Sequence, residues 1–171
     1  MKRIITIVML LGALVAGAQE SAKMWCGDAN VELSAGVVGE ASDHKYCAVG
    51  VAGSYGLLLK EKFYVGLGLK PSYIFSSGDH EGFFMPIYGE FRYHFFEHGK
   101  FGIFGIARGG YSPVERRGAY AHLGCGVNYK RWQFGIGTSY QYAKFQEDWF
   151  NEIVDLDYNL VFSTISVGYR F

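Results

Sequence analysis

Six charged residues recur at spacings that set them on one face of a pleated chain: Glu32, Lys70, Glu90, Arg92, Arg108 and Arg170. Their neighbours at i±2 are mostly small or polar, so the face they share is not an ordinary apolar one. Charges in a low-dielectric interior must pair or cost several kcal/mol each, which sets Glu32 and Glu90 against Arg92, Arg108, Lys70 or Arg170. Two outcomes follow. A paired set fills an interior as a polar plug, whereas four cations against two carboxylates mark a narrow anion-favouring path, because rings of charge set pore selectivity. His94, His122, Asn128, Gln133 and Gln141 have the same parity and belong with this set.

Other candidates for chemistry are weaker. Glu147, Asp148, Glu152, Asp155 and Asp157 crowd around Trp149, Phe150, Ile153 and Val154. Carboxylates gather hard divalent cations and exposed apolar residues touch partners, yet the spacing matches no EF-hand loop and a solvated surface loop is the simpler reading. Glu115-Arg116-Arg117 offers charge-assisted hydrogen bonds to lipid phosphates, or is an exposed cluster without that role. His44, His80, His94, His98 and His122 lie on different segments with no pair at a metal-ligand spacing, so neither metal nor cofactor is expected. A Ser-His-acid site lacks any G-x-S-x-G signature, and no enzyme activity is expected. A lipid-acting barrel enzyme stays as an alternative, marked by a serine and a histidine adjacent on the lipid side.

The elements that position these residues are strands. Half of the 171 residues are hydrophobic (50%) and 18% are aromatic, with 24 glycines and 3 prolines, which is too apolar for disorder. Sixteen basic residues balance 16 acidic ones, leaving no field to collect nucleic acid. Period-two alternation runs through nearly the whole chain and 3.6-residue periodicity is missing, so the class is all-β. Strands are expected at 29–40, 46–59, 63–76, 84–96, 100–111, 119–130, 132–143 and 159–171. Each is roughly 12 residues, enough at about 3.3 Å per residue and a tilt near 40° to cover a ~25–30 Å apolar band. One face is rich in Val, Leu, Ile, Phe and Tyr. The other holds mainly Gly, Ser and Ala, where a soluble lipocalin-like barrel would carry Lys and Glu. An eight-stranded antiparallel transmembrane barrel with a narrow, filled lumen follows.

Connections alternate between short turns, at 60–62, 97–99 and 130–131, and longer polar loops, at 41–45, 77–83, 112–118 and 144–158. Outer-membrane barrels place short turns in the periplasm, which puts both termini there. Rings gather near the segment ends, Trp132 and Tyr129 below and Tyr46, Tyr73, Tyr111 and Trp149 above. Residues 1–18 read as a cleaved export signal: Lys2 and Arg3, an apolar core from Ile4 to Val15, and Ala16-Gly17-Ala18. A short periplasmic segment, 19–28, then leads into a barrel over 29–171. Cys26, Cys47 and Cys125 are an odd number in an exported chain. Cys26 and Cys47 are expected at opposite edges, beyond the ~7 Å limit for a disulfide.

Val167, Tyr169 and Phe171 alternate outward, and the chain stops on an aromatic, which resembles the assembly signal on the last strand of bacterial outer-membrane barrels. Met85-Pro86-Ile87-Tyr88-Gly89-Glu90-Phe91-Arg92-Tyr93, the Gly-rich strand ending in Gly110-Tyr111, and the closing Gly168-Tyr169-Arg170-Phe171 extend the likeness. The chain resembles the small Bacteroidetes-type outer-membrane barrels and is similar in size and plan to OmpA- and OmpX-type barrels. The resemblance implies compartment and fold, with a structural or surface-interaction role. It also implies contact with outer-membrane lipid and lipopolysaccharide, with the barrel-assembly machinery through the last strand, and with an extracellular partner through the loops.

Overall fold

The computed structural model describes residues 24–38, 45–76, 82–114, 117–149 and 152–171; side chains of 24, 37, 38, 45, 76, 143–149 and 152–158 fall outside that description. The expected export signal, 1–18, lies outside the described residues, as do 19–23 and the stretches 39–44, 77–81, 115–116 and 150–151 of the four expected long loops. Ten strands follow in order: β1 (Met24–Val38), β2 (Lys45–Leu59), β3 (Phe63–Leu69), β4 (Ser72–Ser76), β5 (Gly82–Phe84), β6 (Ile87–His98), β7 (Phe101–Ser112), β8 (Gly118–Tyr129), β9 (Trp132–Trp149) and β10 (Glu152–Arg170). All pairs are antiparallel, and β1 pairs with both β2 and β10, which closes the sheet on itself.

The ten strands make eight staves. Pro71 separates β3 from β4, and Pro86 separates β5 from β6, because a proline has no N–H to give to the ladder. Their carbonyls still accept, from the Val51 amide at 3.0 Å and the Lys70 amide at 3.1 Å, so each stave continues across its break. The fold is therefore the expected all-β, eight-stranded antiparallel barrel, with its third and fourth staves in two pieces.

Alternation sorts the side chains. Val31, Leu33, Val49, Val51, Leu67, Leu69, Phe91, Leu123, Phe134 and Ile136 point away from the lumen and are exposed, which leaves an apolar girdle around the barrel. Inside, Tyr46, Ala48, Ile74, Phe84, Tyr88, Tyr120, Leu160 and Phe162 form an apolar cluster toward the long-loop end, and Cys26, Leu58 and Tyr64 form a smaller one toward the short turns. Polar groups occupy the level between. The lumen is thus not lined only by small residues. Glycines make room for rings: a Cβ on Gly68 would fall 2.5 Å from Tyr88 Cζ, and one on Gly126 2.6 Å from Phe104 Cζ.

Four expectations change. The first stave begins at Met24 rather than 29, so the end of the expected 19–28 periplasmic segment is part of the barrel ladder, with Asp28 opposite Ser54 and Arg170. Tyr46 faces the lumen and is buried, not set in a headgroup belt. A bulge between His94 and Phe96 turns Phe95 and Phe96 both outward and carries the fourth stave on to His98. Finally, 144–149 and 152–158 are strand rather than loop. β9 and β10 stay paired row by row from Tyr142–Asn159 to Trp149–Glu152, beyond the last β8–β9 row at Tyr120–Gln141. Backbone pairing needs no apolar sequence, so a polar composition did not prevent a ribbon.

Candidate functional site

The middle level of the lumen is built from four staves. β1 presents Asp28 and Glu32 on one face, β6 presents Glu90, Arg92 and His94, β7 presents Arg108, and Lys70 occupies the break beside Pro71. Adjacent staves bring Glu90 directly opposite Arg108 and Arg108 opposite His122. Three contacts reach across the lumen, Arg92–Asp28, Arg108–Glu32 and Lys70–Glu32, whereas Arg92 and Glu90 are neighbours on β6. Arg92 pairs with both Asp28 and Glu90. Arg108 donates through Nε to Glu90 Oε2 at 2.8 Å and pairs with Glu32 through its other arm. Lys70 Nζ lies 2.6 Å from Glu32 Oε2.

These six side chains form one chain of alternating sign: Asp28, Arg92, Glu90, Arg108, Glu32, Lys70. Arg92 is only 2% exposed, and the other five are also buried. Asp28 accepts further from Asn30 Nδ2 at 2.9 Å and Ser54 Oγ at 3.3 Å, and Ser54 in turn bonds Tyr64 Oη at 2.9 Å. Each cation also faces a ring. The Arg92 guanidinium carbon is 5.2 Å from the Tyr64 centroid and 5.1 Å from that of Phe104, Arg108 is 5.1 Å from Tyr88, and Lys70 Nζ is 5.4 Å from Tyr120. Pairing on one side and a ring on another compensate charges that water no longer reaches.

A second polar strip runs beside the first. His122 Nδ1 is 2.9 Å from Ser139 Oγ, Ser139 Oγ is 3.1 Å from Thr164 Oγ1, and Thr164 is 3.1 Å from Ser34 Oγ. This is a serine–histidine contact, but it faces the filled lumen. Among the described residues no histidine on the outward face contacts a serine. Asn128 Nδ2 lies 3.4 Å from His94 Nδ1, and Gln133 and Gln141 are buried on the same face. Among the described residues, small cavities at this level include one of about 20 Å³ beside Lys70, Tyr120 and Gln141 and one of about 10 Å³ beside Glu32, Arg92 and Gln133. Each is on the scale of a single water molecule.

The structure thus brings Glu32, Lys70, Glu90, Arg92 and Arg108 into one network and leaves Arg170 out of it. Arg170 sits at the short-turn mouth, 3.9 Å from Glu97, whose carboxylate is also 3.3 Å from His94 Nδ1. Asp28 takes the sixth place. Sequence parity could have found it, since Asp28, Asn30 and Glu32 alternate, but starting the strand at 29 hid it. The count of four cations against two carboxylates becomes three against three.

Elsewhere, Val167, Tyr169 and Phe171 face outward, and Phe171 closes the ladder with Gly27 through bonds of 2.9 and 3.1 Å. Glu147, Asp148, Trp149, Asp155 and Asp157 lie on the β9–β10 ribbon, and their side chains are outside the described residues. Glu115 and Arg116 fall outside the description altogether. Cys26 is a buried free thiol, and Cys47 and Cys125 are exposed ones. Among the described residues no three His, Cys, Asp or Glu side chains gather as metal ligands.

No family model and no curated protein matches the sequence. Solved structures do. The chain is similar to Neisserial surface protein A, with a TM-score of 0.58 at 12% identity, covering 88% of this chain and 98% of that one. It is also similar to the outer membrane enzyme PagL, with a TM-score of 0.52 at 10% identity, covering 82% and 98%. The fold is that of the small outer-membrane barrels. At these identities the likeness concerns architecture, and one neighbour being an enzyme carries no activity to this chain.

Proposed function

We propose that this protein is a closed outer-membrane barrel of the OmpA/OmpX plan, close to the small Bacteroidetes-type barrels, that serves as a scaffold for surface interaction. Its termini and short turns face the periplasm, and the β9–β10 ribbon stands outside. One observation carries the reading: the six-membered ladder of alternating charge is balanced and ring-capped, and it spans the lumen where a path for ions would have to run. With three carboxylates matching three cations, the excess of positive charge that favoured an anion path is gone. The exposed apolar girdle supports a lipid surround, because soluble monomers rarely expose a contiguous apolar band of the kind that Leu67, Leu123, Ile136 and Ile165 belong to.

The partners follow from the parts. Lipid and lipopolysaccharide contact the girdle and rim, the assembly machinery reads Val167, Tyr169 and Phe171 on the last stave, and an extracellular protein or glycan meets the ribbon through Trp149 and the carboxylates around it. The test is conductance in a planar bilayer, with a heat-shifted gel band confirming that the refolded barrel is intact. The expected result is silence. Steady discrete currents that change in Arg92→Gln or Arg108→Gln would replace the scaffold with a pore.

A further inference from the structure

Zero net charge conceals a separation by level. The lumen ladder is neutral, but among the described residues the short-turn end carries Lys60, Lys62, Lys100, Lys130, Arg131 and Arg170 against Glu61 and Glu97. The five residues within the turns are exposed, and among the described residues none of them is in a salt bridge. The turns also touch. The Lys130 amide donates to the Lys100 carbonyl at 2.7 Å, and the Arg170 amide donates to the Arg131 carbonyl at 2.8 Å, so the second and third turns and the last stave form one positive arc.

Two features separate this arc from ordinary solvated turns. Lys130, in the arc, has φ of 57°, and Lys60 and Glu61 of the first turn have 51° and 60°, left-handed positions that hairpin turns usually give to Gly, Asn or Asp. Long charged side chains stand there although a glycine would reverse the chain with less strain. Each turn is also flanked by outward rings: Phe63 after Lys62, Phe101 after Lys100, and Tyr129 and Trp132 around Lys130-Arg131, all exposed. Lys130 Nζ lies 5.7 Å from the Tyr129 centroid, and Arg131 Nη1 donates to Tyr169 Oη at 3.4 Å. Rings mark the edge of the apolar band, so the cations one residue further out stand at the depth of headgroup phosphates.

We infer that this arc is a binding site for the phosphate headgroups of anionic glycerophospholipids in the leaflet on the short-turn side. The inference rests on the membrane reading above. Ammonium and guanidinium donors take the phosphate oxygens, and the neighbouring rings pack on the glycerol and upper acyl carbons. A zwitterionic lipid offers the same phosphate but brings its own cation into the arc, so lipids of net negative charge are favoured.

Trp132 borders the arc and reports on it. With Trp25→Phe and Trp149→Phe, Trp132 is the sole indole, and its emission can be read in vesicles of phosphatidylcholine doped with brominated phosphatidylglycerol or, separately, brominated phosphatidylcholine. The expected result is quenching roughly twofold stronger by the anionic lipid. The excess disappears in Lys100→Gln/Lys130→Gln/Arg131→Gln and survives in Lys100→Arg/Lys130→Arg. Equal quenching by both lipids, or an excess that outlives the triple Gln variant, overturns the inference and leaves the barrel reading intact. Loss of the excess to inorganic phosphate at constant ionic strength makes this a free-phosphate site and overturns it too. No quenching by either lipid together with no heat-shifted band removes the membrane reading along with it.

Discussion

Glu90 is held between two guanidinium groups, so removing its carboxylate takes one of two carboxylate partners from each of them. Glu90→Ala leaves Arg92 with Asp28 and Arg108 with Glu32, and the middle of the ladder becomes two facing cations. Breaking a buried pair from one side costs about 3–5 kcal/mol, and urea unfolding of the refolded barrel, read as loss of the heat-shifted band, is expected to fall by that amount. A barrel as stable as the parent would mean that the ladder is wet and that its charges are screened. Parity in the sequence identified the face on which Glu32, Glu90, Arg92 and Arg108 lie, because alternation is local. It could not say which acid meets which base: heights across the lumen depend on how far each stave is shifted against the next, and that shift is set by closure of the whole ring. Asp28 was lost for a different reason, since Met24-Trp25-Cys26 opens its strand with three apolar residues in a row and hides where alternation begins.

Each stave has one face for lipid and one for the lumen. Leu67, on β3, is 72% exposed and points into the girdle. Leu67→Arg is expected to lower barrel stability by about 2–4 kcal/mol if that level lies near the bilayer midplane. Urea titration in vesicles measures it, and an unchanged midpoint would move Leu67 out of the apolar band. The β9–β10 ribbon makes the other prediction. Asp148→Cys is expected to react with a membrane-impermeant maleimide on intact cells, and labelling only after permeabilisation would turn the barrel over. Eight staves were legible because each buries a face of its own. The ribbon was not, since an unsupported two-stranded extension owes its form to hydrogen bonds rather than to an apolar pattern. Its carboxylates belong to the same logic: charge along two open edges discourages further strands from pairing there. The proline breaks could have been read from Pro71 and Pro86, which cannot serve the middle of a central strand.

Taken whole, the molecule is a peg with a self-neutralised middle and ends of opposite sign. The basic arc occupies one end, and the ribbon at the other carries Glu147, Asp148, Glu152, Asp155 and Asp157 with Lys144 as its cation. If, as proposed, assembly through the last strand stands every copy the same way up, neighbours in the film meet like end to like end. At physiological salt this repulsion reaches about 8 Å beyond each surface, comparable with one layer of lipid between barrels. A population of pegs so oriented would then form a two-dimensional suspension stabilised by charge, dispersed in a bare neutral film and drawn together where counter-charges, anionic lipid at one end or divalent cations at the other, fill the gaps between copies.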